Sequence, residues 1–238
     1  MIYLWNLLFY QPLYNGLVFL VDTLPNHSLF VAVVILTILV RLIISPLSYK
    51  AIRTQIKTKK LQPELREIKK TISDKQEQAK KTLEVYKKEG INPFSSFLLI
   101  LVQFPIIIAL YWVFKDGGVE IDPKLLYSFV SVPETISFTN FGIDLGQKSI
   151  LLAALTGITQ YIHLSISASF NAMDAHPDQT EQEKMMAMVG KSMKYTMPIM
   201  ITVFAYIIGG AVALYWVTSN IFMIIQEKLI RNKLEKQS

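Results

Sequence analysis

Four or five long apolar runs are the feature that most constrains what this chain can fold into. The run Ser28–Leu47 has 20 residues with Arg41 as its only charge, and Phe94–Phe114 and Ile150–Phe170 have 21 uncharged residues each. A helix needs about 17–25 apolar residues to cross a bilayer. The charged residues, 18% of the chain, lie in blocks between the runs, whereas a soluble domain would intersperse them. The sequence therefore predicts an all-α integral membrane protein.

The last apolar region leaves two readings open. Tyr195–Ile208 and Ala211–Gln226 have 14 and 16 residues, and Gly209–Gly210 separates them. Each run is shorter than the usual span. They are therefore either two short spans or one long tilted helix.

Residues 1–26 are interpreted as an amphipathic helix that lies in the extracytoplasmic headgroup layer. The segment is apolar, but Pro12 and Asn15–Gly16 interrupt it, and it carries no basic residues before its apolar part. We therefore expect neither a span nor a cleaved signal peptide here. Aromatic residues favour the membrane interface. Six of them lie in this segment: Tyr3, Trp5, Phe9, Tyr10, Tyr14 and Phe19.

The distribution of Lys and Arg predicts the orientation. Residues 1–27 have none, 48–93 have thirteen against six acids, 115–149 have three against five, and 227–238 have four against two. The positive-inside rule then places 48–93 and the tail in the cytoplasm and the N-terminus outside. An N-terminus outside and a C-terminus in the cytoplasm require an odd number of crossings. This favours two short final spans and five spans in all.

The basic block at residues 50–89 is predicted to form a cytoplasmic helical hairpin. Apolar residues recur at helical spacing on both sides of a break at "SDKQ". One interpretation is a solvated hairpin near anionic lipid. The other is a docking arm for an acidic partner such as ribosomal RNA or a targeting receptor. The docking candidates are Lys57, Lys59, Lys60, Lys69 and Lys70.

Polar side chains follow one face of several predicted spans. Thr37, Arg41 and Ser45 are spaced four residues apart on the first span. Spans that each carry one polar face are most economically packed with those faces together. The corresponding residues elsewhere are Ser96 and Gln103 on the second span, Thr156, Gln160, His163 and Ser167 on the third, and Tyr215, Trp216, Ser219, Asn220 and Gln226 on the fifth.

Arg41 is costly in a membrane, at about 2.5–3.5 kcal/mol on insertion scales. No acidic residue lies in any predicted span, so we do not expect a dry ion pair. Two interpretations remain: a wet cavity lined by the polar faces, or snorkelling to the cytoplasmic end, which is about 9 Å away along the helix. For His163 we favour a hydrogen-bonded interhelical histidine over a titrating role.

No enzyme motif occurs in the sequence. There is no H-E-x-x-H, no G-x-S-x-G, no P-loop and no pair of intramembrane aspartates. The three histidines are far apart, and there is no cysteine. We therefore expect no catalytic residue, no metal and no cofactor.

Three motifs resemble a known family, the YidC-type membrane-protein insertases with their mitochondrial oxidase-assembly and chloroplast albino-type relatives. "LTILVRLIISPL" resembles the family's first core helix with its single arginine. "YKKEGINPFSSFLLILVQFPIIIALYWVF" resembles the second helix. "TMPIMITVFAYIIGGAVALYWVTSNIFMIIQEKLI" resembles the final hairpin. The motifs follow one another in the family's order over about residues 28–230.

The resemblance implies a five-helix core at 28–230 around a hydrophilic groove, open to cytoplasm and lipid and sealed outside, with 231–238 as a short cytoplasmic tail. Arg41 would be the groove arginine with Thr37 one turn above it. The residues expected to line the groove are Thr37, Arg41, Ser45, Gln103, Gln160, His163, Tyr215, Trp216 and Ser219.

The resemblance also implies the setting and the partners. The protein would lie in the bacterial inner membrane and bind nascent membrane proteins and phospholipid, but not DNA. The ribosome, a targeting receptor and the general translocon are further expected partners. Two other functions stay open: a small transporter or channel, whose polar faces would line a through-pore, and a passive assembly scaffold, in which Arg41 would be dispensable.

Overall fold

A computed structural model describes most of the chain and is mainly helical. The predicted second span is largely outside the described residues, and so is Gln103. Helical residues are described within it at 105–109 and 111–112. The described residues are 2–92, 105–109, 111–112, 121–167 and 181–236.

The N-terminal helix is made of an α-helical turn Ile2–Trp5, a π-helical turn Asn6–Tyr10 and an α-helix Gln11–Thr23. Asn15 and Gly16, which interrupt the apolar run, both lie inside the helix. Gly16 instead permits close packing, since a Cβ there would lie 3.2 Å from the Leu36 side chain.

Helix α1, Leu29–Thr71, has 43 residues and contains both the first apolar run and the first arm of the basic block. Ser28 caps its N-terminus, with its hydroxyl accepting from the Val31 N–H at 3.3 Å. We expected a span and a separate hairpin, but the helix continues through Pro46 and Pro63. At 1.5 Å per residue it is about 65 Å long, so its second half extends well beyond the apolar run.

Helix α2, Lys75–Lys88, lies antiparallel to the second half of α1. The Gln78 amide donates to the Lys69 carbonyl near the turn, and the Lys57 ammonium donates to the Glu89 carbonyl at 2.8 Å near the open end. Residues 72–74 separate the two helices, so the break begins one residue before "SDKQ" and ends within it. Asp74 caps α2 because its carboxylate accepts from the N–H groups of Gln76 and Glu77.

Residues 121–148 form a cap of short elements. They include the 3-10 turn Pro123–Leu125 and a hairpin of β1, Thr139–Asn140, and β2, Ile143–Asp144. Three more helices follow in the part of the chain that the structure describes. These are α3, Ile150–Ile166, α4, Glu181–Ile208, and α5, Gly210–Glu235.

A single residue separates α4 from α5. Gly209 has φ 126°, a conformation that residues with a side chain rarely adopt. The division of the last apolar region into two helices follows from this residue. The next N–H, of Gly210, donates to the Gln147 carbonyl of the cap at 3.0 Å.

Residue pairs fix the helix directions. The rings of Tyr161 on α3 and Tyr195 on α4 are in contact, and Gly157 of α3 lies against Thr202 of α4. The residue numbers rise along α3 as they fall along α4, so the two helices run antiparallel. On α5, Ala213 contacts Thr156 of α3, and Glu227 contacts His163 of α3. The residue numbers rise together, so α5 runs parallel to α3. Helix α1 also runs parallel to α5.

The cap closes the end where α1 and α5 begin. The Ser28 hydroxyl donates to the Asn140 side chain at 2.8 Å. Asn15, buried in the N-terminal helix, donates to the Leu125 carbonyl at 2.9 Å and accepts from the Tyr127 N–H at 2.6 Å. Because a buried amide without partners is costly, these bonds lock the cap to the N-terminal helix.

The hydrophobic core lies beneath this cap. It joins the inner face of the N-terminal helix, the first two turns of α1 and the first turns of α3 and α5. The outer surface is also apolar, with Ile43 77% exposed on α1 and Ile199 66% exposed on α4. Such exposure is unusual for a soluble protein.

One helix among the described residues, Leu29–Thr71, is long and apolar enough to cross a membrane. Ile150–Ile166 is a shorter apolar helix of 17 residues, at the lower end of the range for a membrane span. The fold is consistent with an all-α membrane protein.

Candidate functional site

The Arg41 side chain is buried between α1 and α5. Its Nε donates to the Ser219 hydroxyl at 2.8 Å, its Nη2 donates to the same oxygen, and the guanidinium also hydrogen-bonds Tyr215. Arg41 is 7% exposed and Ser219 is fully buried. The side chain therefore points toward the neighbouring helix rather than along α1 to the cytoplasmic end, as snorkelling would require.

A second polar contact lies one turn further along α1. The Gln226 amide of α5 donates to the Ser45 hydroxyl at 2.6 Å. Together with Arg41 and Ser219, this pair forms a polar seam between the two parallel helices. Arg41 is the cation in this seam, and both hydroxyls that it contacts are neutral.

Thr37 lies on the cap side of Arg41 and does not extend this seam. Its hydroxyl donates to the Val33 carbonyl of its own helix at 2.6 Å. Around it is a small pocket whose other lining is apolar apart from Tyr215. The seam therefore ends at Arg41, and an apolar layer separates it from the cap.

A further polar seam joins α3 to α5. The Thr156 hydroxyl donates to the Ala213 carbonyl at 3.2 Å, and the Asn220 amide donates to the Thr159 hydroxyl at 3.2 Å. Gln160 is buried on the same side of α3. Helix α5 thus carries polar contacts on two faces, one toward α1 and one toward α3.

The α3–α5 seam ends in a charged cluster. His163 Nε2 lies 3.8 Å from Glu227 Oε2, and Arg231 Nη2 lies 3.1 Å from Glu227 Oε1. Glu227 is 3% exposed. His163 Nδ1 is buried without a hydrogen-bond partner among the described residues, so a water or a bound polar group would satisfy it.

Glu227 is the residue that sequence reasoning missed. We counted its charge with those of 227–238, just after the last apolar run, and gave it no role in the site, yet it is buried beside His163 of α3. Its spacing could have revealed it, since Ala213, Asn220 and Glu227 are seven residues apart and all face α3. The Arg231 partner at i+4 was a second signal.

The remaining candidates are placed as follows. Trp216 is partly buried and packs against the core beneath the cap. Four predicted docking lysines are exposed on the α1–α2 arm: Lys59, Lys60, Lys69 and Lys70. Lys57 is half-buried and donates to the Glu89 carbonyl. Leu83 of α2 is 51% exposed, so the predicted apolar stripe is only partly covered.

Comparison with known proteins decides the family. The model for the 60Kd inner membrane protein family matches residues 20–237. The chain belongs to this family. The matched segment of the 60Kd inner membrane protein family contains α1, α3, α4, α5 and every residue of both polar seams, so the candidate site lies wholly within the family's region.

Relatives in this family cover nearly the whole chain. The membrane protein insertase YidC of Oceanobacillus iheyensis is 32% identical over 237 residues, 97% of this chain and 85% of its own. The YidC of Clostridium tetani is 34% identical over 221 residues, 91% of this chain and 87% of its own. The insertase MisCA of Bacillus subtilis is 30% identical over 234 residues, 95% of this chain and 79% of its own.

Proposed function

We propose that this chain is a membrane protein insertase of the bacterial inner membrane that binds nascent membrane proteins through the Arg41 seam. The observation that carries the proposal is a buried guanidinium that hydrogen-bonds the Ser219 and Tyr215 hydroxyls between two helices, within a family whose relatives are named insertases. Insertion requires no covalent chemistry, so no cofactor is needed.

Acidic segments are the clients that this seam suits best. Hydrogen bonds from a guanidinium to a carboxylate are charge-assisted and about twice as strong as neutral ones. A client carboxylate can therefore replace the Ser219 and Tyr215 hydroxyls at Arg41. The hydroxyls then return to Arg41 when the client leaves, so the cation is never left without an acceptor.

The uneven distribution of polarity supports a one-sided groove. Along the α1–α5 contact, polar contacts begin at Arg41 and continue to the Ser45–Gln226 pair, on the side away from the cap. The apolar core and the cap close the other end. A client segment would thus enter from the end opposite the cap, and its apolar helix would leave sideways into lipid, driven by burial at about 25 cal/mol per Å².

Five crossings with the N-terminus outside and the C-terminus inside are part of the proposal. Helices α1, α3 and α5 run parallel and α4 runs antiparallel, which is the pattern that alternating crossings would give. The predicted second span, which lies largely outside the described residues, would supply the remaining crossing. The N-terminal helix and the cap would then lie at the extracytoplasmic surface.

The α1–α2 arm is the proposed docking site for the ribosome or a targeting receptor, with the general translocon as a further partner. It extends about 36 Å beyond the apolar run, since 24 residues of α1 follow Leu47 at 1.5 Å each. Lysines on its surface would attract acidic partners such as RNA.

Reconstitution tests this function against its rivals. Purified protein in liposomes should insert a small acidic client without nucleotide, measured by protection from added protease. The same liposomes should show no ion flux above protein-free liposomes. Flux without insertion would favour the transporter or channel, and insertion that is unchanged by Arg41→Ala would favour the passive scaffold.

A further inference from the structure

The tip of the β1–β2 hairpin has an unfavourable backbone conformation. Asn140 pairs with Ile143, so the turn has two residues, Phe141 and Gly142, with φ 53° and 75°. Two-residue turns with both φ angles positive prefer Asn, Asp or Gly. A bulky aromatic residue at positive φ is an outlier, so the sequence tolerates strain in order to place Phe141 at the tip.

Burial in the protein does not explain this residue. Phe141 is 83% exposed, among the most exposed large apolar residues described. Its one ring contact among the described residues is an edge contact with Phe30, at 5.4 Å between centroids. One edge contact leaves most of the ring exposed, and an observed backbone outlier of this kind is grounds for inferring a role outside the fold.

The position of the tip relative to α1 identifies what it contacts. Phe30 lies in the first turn of α1, and the hairpin is tied there by the bond from Ser28 to Asn140 and by the Leu29 N–H donating to the Ser137 carbonyl at 3.0 Å. A run of 20 residues from Ser28 spans about 30 Å, the thickness of the hydrocarbon core. With the proposed crossing and orientation of α1, Phe30 and Phe141 lie at its extracytoplasmic boundary.

We propose that Phe141 is a lipid anchor that inserts into the outer-leaflet interface. Aromatic side chains favour this layer, and the exposed apolar surface of α1 continues from the same turn toward Leu39 and Ile43. The anchor holds the cap at a fixed depth above the helices. The inference rests on the proposed crossing of the membrane by α1.

Single cysteines test the depth of the tip, because the chain has none of its own. Phe141→Cys, Ile43→Cys and Glu134→Cys would each carry a spin label in phospholipid nanodiscs. Collision rates with oxygen, which is enriched in lipid, and with a water-soluble nickel complex report depth. We expect label 43 in hydrocarbon, label 134 in water and label 141 between them.

The outcomes separate this inference from the proposed function. If label 141 is as accessible to nickel as label 134 while label 43 lies in lipid, the anchor is overturned and the crossing by α1 is not. Label 43 in water would overturn the crossing by α1 and the anchor with it.

A second variant tests the phenylalanine itself. Asn adopts positive φ readily, so Phe141→Asn keeps the turn while removing the ring. A label at Thr139→Cys should become more accessible to nickel in the Phe141→Asn background than beside native Phe141. An unchanged accessibility would show that the ring does not hold the hairpin at the interface, which would overturn the anchor.

Discussion

At the scale of residues, Glu227 adds a buried carboxylate to the site. Arg41 is buried against Ser219 of α5, and Glu227 is a buried residue of α5 itself. Ser219 and Glu227 are eight residues apart, or about 12 Å along the helix. The site therefore contains a cation near its apolar end and a partnered anion near its open end. Arg231 of α5 holds the Glu227 carboxylate in place, and His163 of α3 lies beside it, so Glu227 links α5 to α3.

We expect Glu227→Gln to lower the thermal unfolding midpoint in detergent. Hydrogen bonds to charged groups contribute about 1.5–3 kcal/mol, and the substitution weakens those from Arg231 and the contact with His163. Glu84→Gln is the matched control, because Glu84 pairs with Lys81 at 3.4 Å on a half-exposed surface, where such pairs contribute little. Equal midpoints for both variants would show that Glu227 does not brace the helices.

Spacing alone predicted part of this site. The face with Arg41 and Ser45 on α1 does meet the face with Ser219 and Gln226 on α5, because residues four or seven apart share one side of a helix. Glu227 was missed because the end of an apolar run was taken as the end of the membrane-embedded helix. Burial there depends on the neighbouring α3, which the local sequence does not encode.

At the scale of elements, the α1–α2 arm is the basic unit most remote from the core. Asp74 caps α2, and the Lys57 and Gln78 bonds hold the two helices together. The second half of α1 is a direct continuation of the helix that carries Arg41. A partner bound to the arm is thus connected to the site by one continuous helix.

Replacing Lys57, Lys59, Lys60, Lys69 and Lys70 by Gln should weaken ribosome co-sedimentation and reduce its salt dependence. The change removes five positive charges but retains good helix formers, and exposed charges are screened within about 8 Å at physiological ionic strength. The matched control replaces the same lysines by Arg, which keeps the charge. Co-sedimentation of the Gln variant equal to wild type would place docking elsewhere.

Helix periodicity predicted the arm, whereas the cap could not be predicted. The bonds from Asn15 to Leu125 and Tyr127 join residues 110 and 112 apart along the chain. No periodic pattern marks such pairs. Asn15 with Gly16 was interpreted only as an interruption of the apolar run, whereas the cap satisfies the buried Asn15 amide.

At the scale of the whole molecule, the two ends of the helix bundle differ in chemistry. The cap and the apolar core close one end, and the charged cluster and the basic arm lie toward the other. A through-pore would need polar lining at both ends. The arrangement instead suits a groove that is open on one side, as the proposed insertion pathway requires.

Three single cysteines test the orientation of this asymmetric molecule. An impermeant thiol reagent on intact cells should label Ser131→Cys, which is exposed on the cap, but not Ser73→Cys in the turn of the arm or Ser238→Cys in the tail. All three should label after permeabilisation. Labelling of Ser238→Cys in intact cells would contradict an odd number of crossings.

The charge of Arg41 is the central claim, and insertion of matched clients by reconstituted variants tests it most directly. Two clients would differ only in Asp or Asn in the extracytoplasmic segment. Because a hydrogen bond to a charged group contributes about 1.5–3 kcal/mol, we expect Arg41→Ala to reduce insertion of the acidic client about tenfold or more. Arg41→Lys should retain much of the activity, and the neutral client should change little. Equal insertion of the acidic client by wild type and Arg41→Ala would contradict the account.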